Sequence, residues 1–240
     1  MIDLASPEFW LALGKIVWVN ILLSGDNAVV IALAARSLPP QQQKQAIMIG
    51  SGAAIALRIV LTLVAAQLLL LPYLKLVGAL LLLYIGVTLL LPENDSDEEG
   101  SGTTGSMAAA VRTILIADLV MSLDNVIAVA AAANGNTALL IIGLATSIPL
   151  VIFGSTLLLK VIERFPLIVW AGAALLGFIA GEISVTDPAV APWFAAQEAA
   201  WGLGDHRLQI IVGLVGAVFV VGLGKALIGR RASLTESTPV

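Results

Sequence analysis

The sequence predicts an all-α membrane protein with seven transmembrane helices, a 3+3 inverted repeat plus one extra helix. Three observations carry this reading. Mean hydropathy is +1.02, with 59% hydrophobic and 12% charged residues in a chain of 240, which excludes an ordinary soluble domain. Seven apolar runs come near the roughly 20 residues that a helix needs to cross a bilayer. A short phrase also occurs twice deep inside such runs, as Ser24-Gly25-Asp26-Asn27 and as Ser122-Leu123-Asp124-Asn125.

The first helix is read over 9–35 and ends at Leu38-Pro39-Pro40-Gln41. The second spans 45–70, and Leu71-Pro72 turns it tightly into the third, 73–91. An acidic, then Ser/Gly/Thr-rich stretch follows, and the fourth helix covers 111–133, turned by Asn134-Gly135-Asn136. The fifth is 138–160, the sixth starts after Arg164-Phe165-Pro166 and covers 166–184, and the seventh covers 208–228. Pro, Gly and Asn clusters set these breaks because they cannot continue a helix cheaply. The organisation is therefore repeat 1 over 1–92, a cytoplasmic linker over 93–109, repeat 2 over 110–184, an external loop over 185–207, and the last helix with its tail over 208–240. Segment 192–203, with Trp193 and Trp201, reads as a short helix lying on the outer surface.

Charge is unevenly spread. Glu93, Asp95, Asp97, Glu98 and Glu99 supply five of the sixteen acids, and the other eleven face twelve bases. The net −4 is therefore a property of one solvated linker. Asp3 and Glu8 precede the first apolar run without a basic region, so that run is expected to be a membrane helix and not a cleaved signal. Arg36, Lys44, Arg112, Lys160, Arg164, Lys225, Arg230 and Arg231 fall on one side of the predicted topology, against Lys15, Lys75 and Arg207 on the other. By the positive-inside rule the N-terminus is outside and the C-terminus cytoplasmic. The expected location is a membrane crossed several times.

The repeat follows from aligning Asp26 with Asp124, a spacing of 98 residues. Asn20 then meets Asp118, Ser24 meets Ser122, and Asn27 meets Asn125. Further on, at a spacing of 94, Pro72 meets Pro166 and Gly78 meets Gly172. Each unit has three helices, an odd number, so the two copies enter the membrane from opposite sides. Secondary transporters built this way carry their site between the halves, near the midplane.

A carboxylate in mid-membrane costs about 2.5–3.5 kcal/mol on insertion scales, so it is rarely there without a function. Asn20, Ser24 and Asn27 share one helix stripe, as do Asp118, Ser122 and Asn125, whereas Asp26 and Asp124 point off it. Local unwinding would bring each Asp inward; Gly25 makes that cheap in the first copy, and Leu123 does not in the second. Buried Asn and Ser often only hold helices together, at about 0.6–2 kcal/mol per contact. An Asp-Asn pair repeated in register, with Asp118 nearby, favours an ion site instead. The candidate ligands are Asp26, Asn27, Asp118, Asp124, Asn125 and Asn20, with Ser24 and Ser122 as further donors. Such oxygen ligands suit Mg²⁺, Ca²⁺ or Mn²⁺. There is no Cys, and the one His, His206, falls in the last external loop.

Two other intramembrane charges stand out. Arg58 either compensates the carboxylates or gates their site, and both roles stay open. Glu182 has Thr88 as its repeat partner and reads as an exit ligand, a proton acceptor or a solvated interfacial group. Pro149 reads as a kink in the fifth helix, and the glycines at 50, 52, 78, 86, 143, 154, 172 and 177 as close-packing positions. No phosphate-binding Gly-rich loop, Ser/His/Asp set or zinc motif occurs, so an enzyme is not expected.

Leu23 to Ala32 together with Ala117 to Ala128 resembles the paired signature of the TerC membrane proteins, in particular their short members. The resemblance covers the first six helices. It implies Mn²⁺ as the exported substrate and Asp26, Asn27, Asp118, Asp124 and Asn125 as site residues. Chemistry alone leaves Ca²⁺ and Mg²⁺ open.

The expected activity is export of a divalent metal by alternating access, with no resident cofactor. The expected partners are the metal ion and the bilayer, not nucleic acid, and a homo-oligomer or a membrane partner stays open. A Ca²⁺/H⁺ exchanger, a small-solute exporter, and a non-transporting scaffold in metal or tellurium stress are the alternatives.

Overall fold

The computed structural model describes residues 7–22, 25–91, 106–132, 136–202 and 206–236. Among them no strand occurs, and the helices are α1 (Pro7–Leu22), α2 (Gly25–Ala35), α3 (Pro40–Leu68), α4 (Leu74–Leu90), α5 (Met107–Ala132), α6 (Thr137–Arg164), α7 (Leu167–Val185), α8 (Ala191–Ala200) and α9 (Arg207–Glu236). The acidic linker lies outside the described residues.

The predicted first helix is two helices. Gly25 opens α2, and the Leu13–Asn20 and Gly25–Ala35 segments are inclined by 50°. By contrast α5 runs unbroken through Leu123. Gly25, which has no Cβ, opens the new helix, whereas the second copy stays helical through Leu123, a good helix former. Pro149 sits within a continuous α6.

By length and composition, four of the described helices can cross a bilayer, or five if the bent α1–α2 pair is one span. The expectation was seven. Of the remaining predicted spans, α4 has 17 residues, short of about 20. The other, α5, has 26 residues and carries Arg112, Asp118 and Asp124.

The chain divides into two compact units. One holds α1, α2, α3, α5 and α6, with Ile16, Ile55, Val129, Leu139, Leu140 and Leu144 packed at its centre. Within it α3 and α5 run parallel, since Gly50 lies against Ile114 while Arg58 reaches Ser122. A Cβ on Gly50 would come within 2.8 Å of Ile114, so glycine sets that close approach. In the same way α1 and α6 run parallel, through Ile16 against Gly143 and Asn20 against Ser147.

The other unit holds α4, α7, α8 and α9. Its α7 is antiparallel to α9, and the two backbones nearly touch. A Cβ added to Gly177 would sit 2.4 Å from the Gly216 carbonyl oxygen, and one on Gly181 would sit 2.3 Å from that of Val212. Small residues let membrane helices approach this closely, and dispersion then holds them.

The start of α4 has no side-chain cap of its own. Asp187, fully buried in sequence-distant chain just past α7, supplies one. Its carboxylate accepts from the backbone N–H groups of Tyr73 (2.9 Å), Lys75 (3.0 Å), Leu76 (3.3 Å) and Ala189 (2.8 Å). Burial alone would raise the Asp187 pKa, but these four donors favour the charged form more and hold it below the usual carboxylate range. They also fix Tyr73 at φ 68°, a left-handed conformation uncommon outside glycine. In α8 the Glu198 carboxylate accepts from the Leu208 N–H at the start of α9, 3.0 Å away.

Large apolar side chains face outward: Tyr84 is 68% exposed, Phe153 69% and Val218 72%. In water such a surface would drive aggregation; in a bilayer it is the solvated face.

Candidate functional site

At the interior of the first unit, Arg58 of α3 is 2% exposed and all three nitrogens of its guanidinium are engaged. Nε donates to Ser122 Oγ at 3.0 Å and Nη1 to Asn20 Oδ1 at 2.8 Å. Nη2 donates to Asp118 Oδ1, forming a buried ion pair. Asp118 and Ser122 are one turn apart on α5, and the Ser122 hydroxyl donates to Asp118 Oδ2 at 3.2 Å. Asn20 Nδ2 donates to Ser147 Oγ on α6, whose hydroxyl in turn donates to the Leu144 carbonyl at 2.6 Å. Thr62, one turn on from Arg58, donates to its carbonyl at 2.7 Å. The network ties α1, α3, α5 and α6 together.

Asp26 is in the first turn of α2, where the helix dipole favours a carboxylate. Its Oδ1 accepts the Asn27 N–H at 2.7 Å. The charges of both Arg58 and Asp118 act on it. Asn27 is buried and Asn125 half-buried.

The structure therefore gathers Asn20, Asp118, Ser122 and Arg58, with Asp26 in electrostatic reach. Ser24 and the Asp124 side chain lie outside the described residues. Glu182 is half-buried on α7, in the other unit. Among the described residues no three His, Cys, Asp or Glu side chains form a metal-holding group. The Asp118 charge faces a guanidinium instead. Sequence reasoning missed Ser147, since a lone Ser two residues before Pro149 in an apolar helix carries no chemical signal. It also missed Asp187, which reads as a loop residue before Pro188.

Helices with apolar side chains outward, and a charged, hydrogen-bonded cluster buried within the first unit, define a multi-pass integral membrane protein. More narrowly, the chain belongs to the integral membrane protein TerC family, whose model matches residues 5–232. It is 46% identical over 180 residues to "Uncharacterized membrane protein YjbE" of Bacillus subtilis, covering 75% of this chain and 82% of that one. It is 28% identical over 185 residues to "Uncharacterized membrane protein YceF" of the same species, covering 74% and 72%. Against "UPF0053 inner membrane protein YgdQ" of Escherichia coli K12 the identity is 24% over 179 residues, covering 68% and 75%. No solved structure matches the chain.

Proposed function

We propose that this protein is a secondary transporter that exports a divalent metal ion, Mn²⁺, by alternating access. One observation carries the reading. Three side-chain oxygens from two helices, Asn20 Oδ1, Ser122 Oγ and Asp118 Oδ1, converge on a single positive charge inside an apolar bundle. A donor set of this kind is built to hold a cation, and it is made of hard oxygens. A buried ion pair adds little stability over apolar residues of similar size, which argues for a use beyond folding. Asp26, Asn27, Asp124 and Asn125 would complete the site from the two copies of the repeated phrase. Mn²⁺ enters through membership of the TerC family and the resemblance of its paired motif.

Seven crossings in an inverted repeat agree with the directions of the packed helices. In an alternating topology the second and fourth crossings run the same way, as α3 and α5 do, and so do the first and fifth, as α1 and α6 do. The sixth crossing opposes the seventh, as α7 opposes α9. The positive-inside rule then puts the N-terminus outside and the C-terminus in the cytoplasm of a bacterial inner membrane.

The test is Mn²⁺ flux in sealed proteoliposomes, with and without a pH gradient, in competition with Ca²⁺, Mg²⁺ and amino acids. Asp26→Ala and Asp124→Ala should each abolish Mn²⁺ movement while the protein stays in the membrane. Full flux from both variants removes the site assignment; no flux from the unaltered protein supports the scaffold alternative.

A further inference from the structure

An Arg buried in the middle of a cation site is an odd neighbour for a dication. The oxygens that would receive the metal, on Asp118, Ser122 and Asn20, are the ones the guanidinium already takes. Guanidinium and metal cannot hold one donor set together. At such close range their like charges would repel.

We propose that Arg58 is a tethered counter-cation that exchanges with the transported cation on Asp118, so that the carboxylate remains paired once the cargo has left. This deepens the transport reading and rests on it. An unpaired carboxylate in a membrane interior is costly. A carrier that releases its ion must neutralise the carboxylate or be trapped with it. The guanidinium does this without leaving the protein, because its stem is fixed on α3 while its head reaches α5 and α1. Its contacts to Ser122 and Asn20 are to neutral oxygens, so an incoming dication has one strong contact to break, the one to Asp118. A doubly charged ion competes with the singly charged guanidinium far better than Na⁺ or K⁺ does. Arg58 therefore sets a threshold that favours divalent cargo. Lys would keep the charge on Asp118 without the three-nitrogen fork that also reaches Ser122 and Asn20.

The experiment measures equilibrium Mn²⁺ binding to the purified full chain and net Mn²⁺ efflux from proteoliposomes. Arg58→Gln removes the competitor, so Mn²⁺ should bind at least about tenfold tighter, a change of about 1.4 kcal/mol. Net efflux should fall at least about tenfold, because the emptied site stays charged. Arg58→Lys, which keeps a competing charge, should bind Mn²⁺ within about threefold of the unaltered protein, a shift of at most about 0.65 kcal/mol. In Arg58→Ala, added guanidinium ion should weaken Mn²⁺ binding, and it should have no such effect on the unaltered chain. A purely structural Arg58 predicts weaker binding in Arg58→Gln. Unchanged or weaker binding there, or no competition by guanidinium in Arg58→Ala, overturns the proposal while leaving Mn²⁺ transport standing. Absence of flux from the unaltered protein overturns transport itself.

Discussion

The Arg58 guanidinium and the Asp118 carboxylate form an ion pair with exposures of only 3% and 6%. Each charge depends on the other for its place in the interior. Removing one partner of a buried pair typically costs about 3–5 kcal/mol, whereas replacing both by apolar groups is close to neutral. Arg58→Met and Asp118→Leu alone should therefore each lower the thermal midpoint of the detergent-solubilised protein substantially. The double variant Arg58→Met/Asp118→Leu should recover most of that loss, although it cannot bind Mn²⁺. A double variant as unstable as the sum of the two singles would mean that the charges are not coupled.

Asp187 makes the second unit sensitive to acid. Its folded pKa lies below the usual value, so its contribution to stability is complete above the unfolded pKa of about 3.9 and is lost as pH falls through the lower folded value. Between pH 8 and 5 the difference in thermal midpoint between the unaltered protein and Asp187→Asn should stay constant. Below about pH 4 it should shrink, as Asp187 itself becomes protonated. Hydrogen bonds to a charged group contribute about 1.5–3 kcal/mol each, and the Asp187→Asn side chain would keep one acceptor oxygen for part of the four, so the plateau difference should be at least about 1.5–3 kcal/mol. A difference that grows on acidification would reverse the assigned direction.

The contact between α7 and α9 leaves no room for a methyl group. Gly177→Ala would drive its Cβ to 2.4 Å from the Gly216 carbonyl, and Gly216→Ala to 2.1 Å from that of Gly177. Overpacking against backbone costs about 1–3 kcal/mol, and either change should lower the thermal midpoint. Gly222, also on α9, has nothing within 4 Å of an added Cβ. Gly222→Ala is the matched control, and it should leave the midpoint unchanged or raise it slightly.

What could be read in advance was what lies close in the chain. The stripe of Asp118 and Ser122 follows from helical spacing on one element, and the broken start of α2 follows from Gly25 beside an Asp. Arg58 was visible as an expensive charge, but the partner it chose was not. Contacts across 60 or more residues, such as Arg58 to Asp118, depend on packing that no local pattern encodes. Asp187 is the extreme case: it caps a helix that begins 114 residues earlier in the chain, counting from Tyr73, and nothing near either residue announces the other. The split of the first predicted helix into α1 and α2 was legible only as an unwinding at Gly25. Hydropathy counts apolar residues without registering where the backbone stops being helical.

The break between α1 and α2 separates the effect of a hinge from the effect of packing. Gly25 has open space where a Cβ would be and needs no left-handed backbone, so neither sterics nor strain opposes alanine there. Alanine favours a helix over glycine by about 1 kcal/mol, which would tend to extend α2 backwards and straighten the bent pair. Gly25→Ala should therefore keep the thermal midpoint near or slightly above that of the unaltered protein. It should also slow Mn²⁺ efflux severalfold, because straightening the bent pair would turn the first turn of α2, which carries Asp26, relative to Asn20 of α1. Gly25→Leu, which copies Leu123 of the second phrase, should slow efflux further with the same retained stability. Flux unaltered in both variants, with stability intact, would show that the bend at Gly25 plays no part in presenting Asp26.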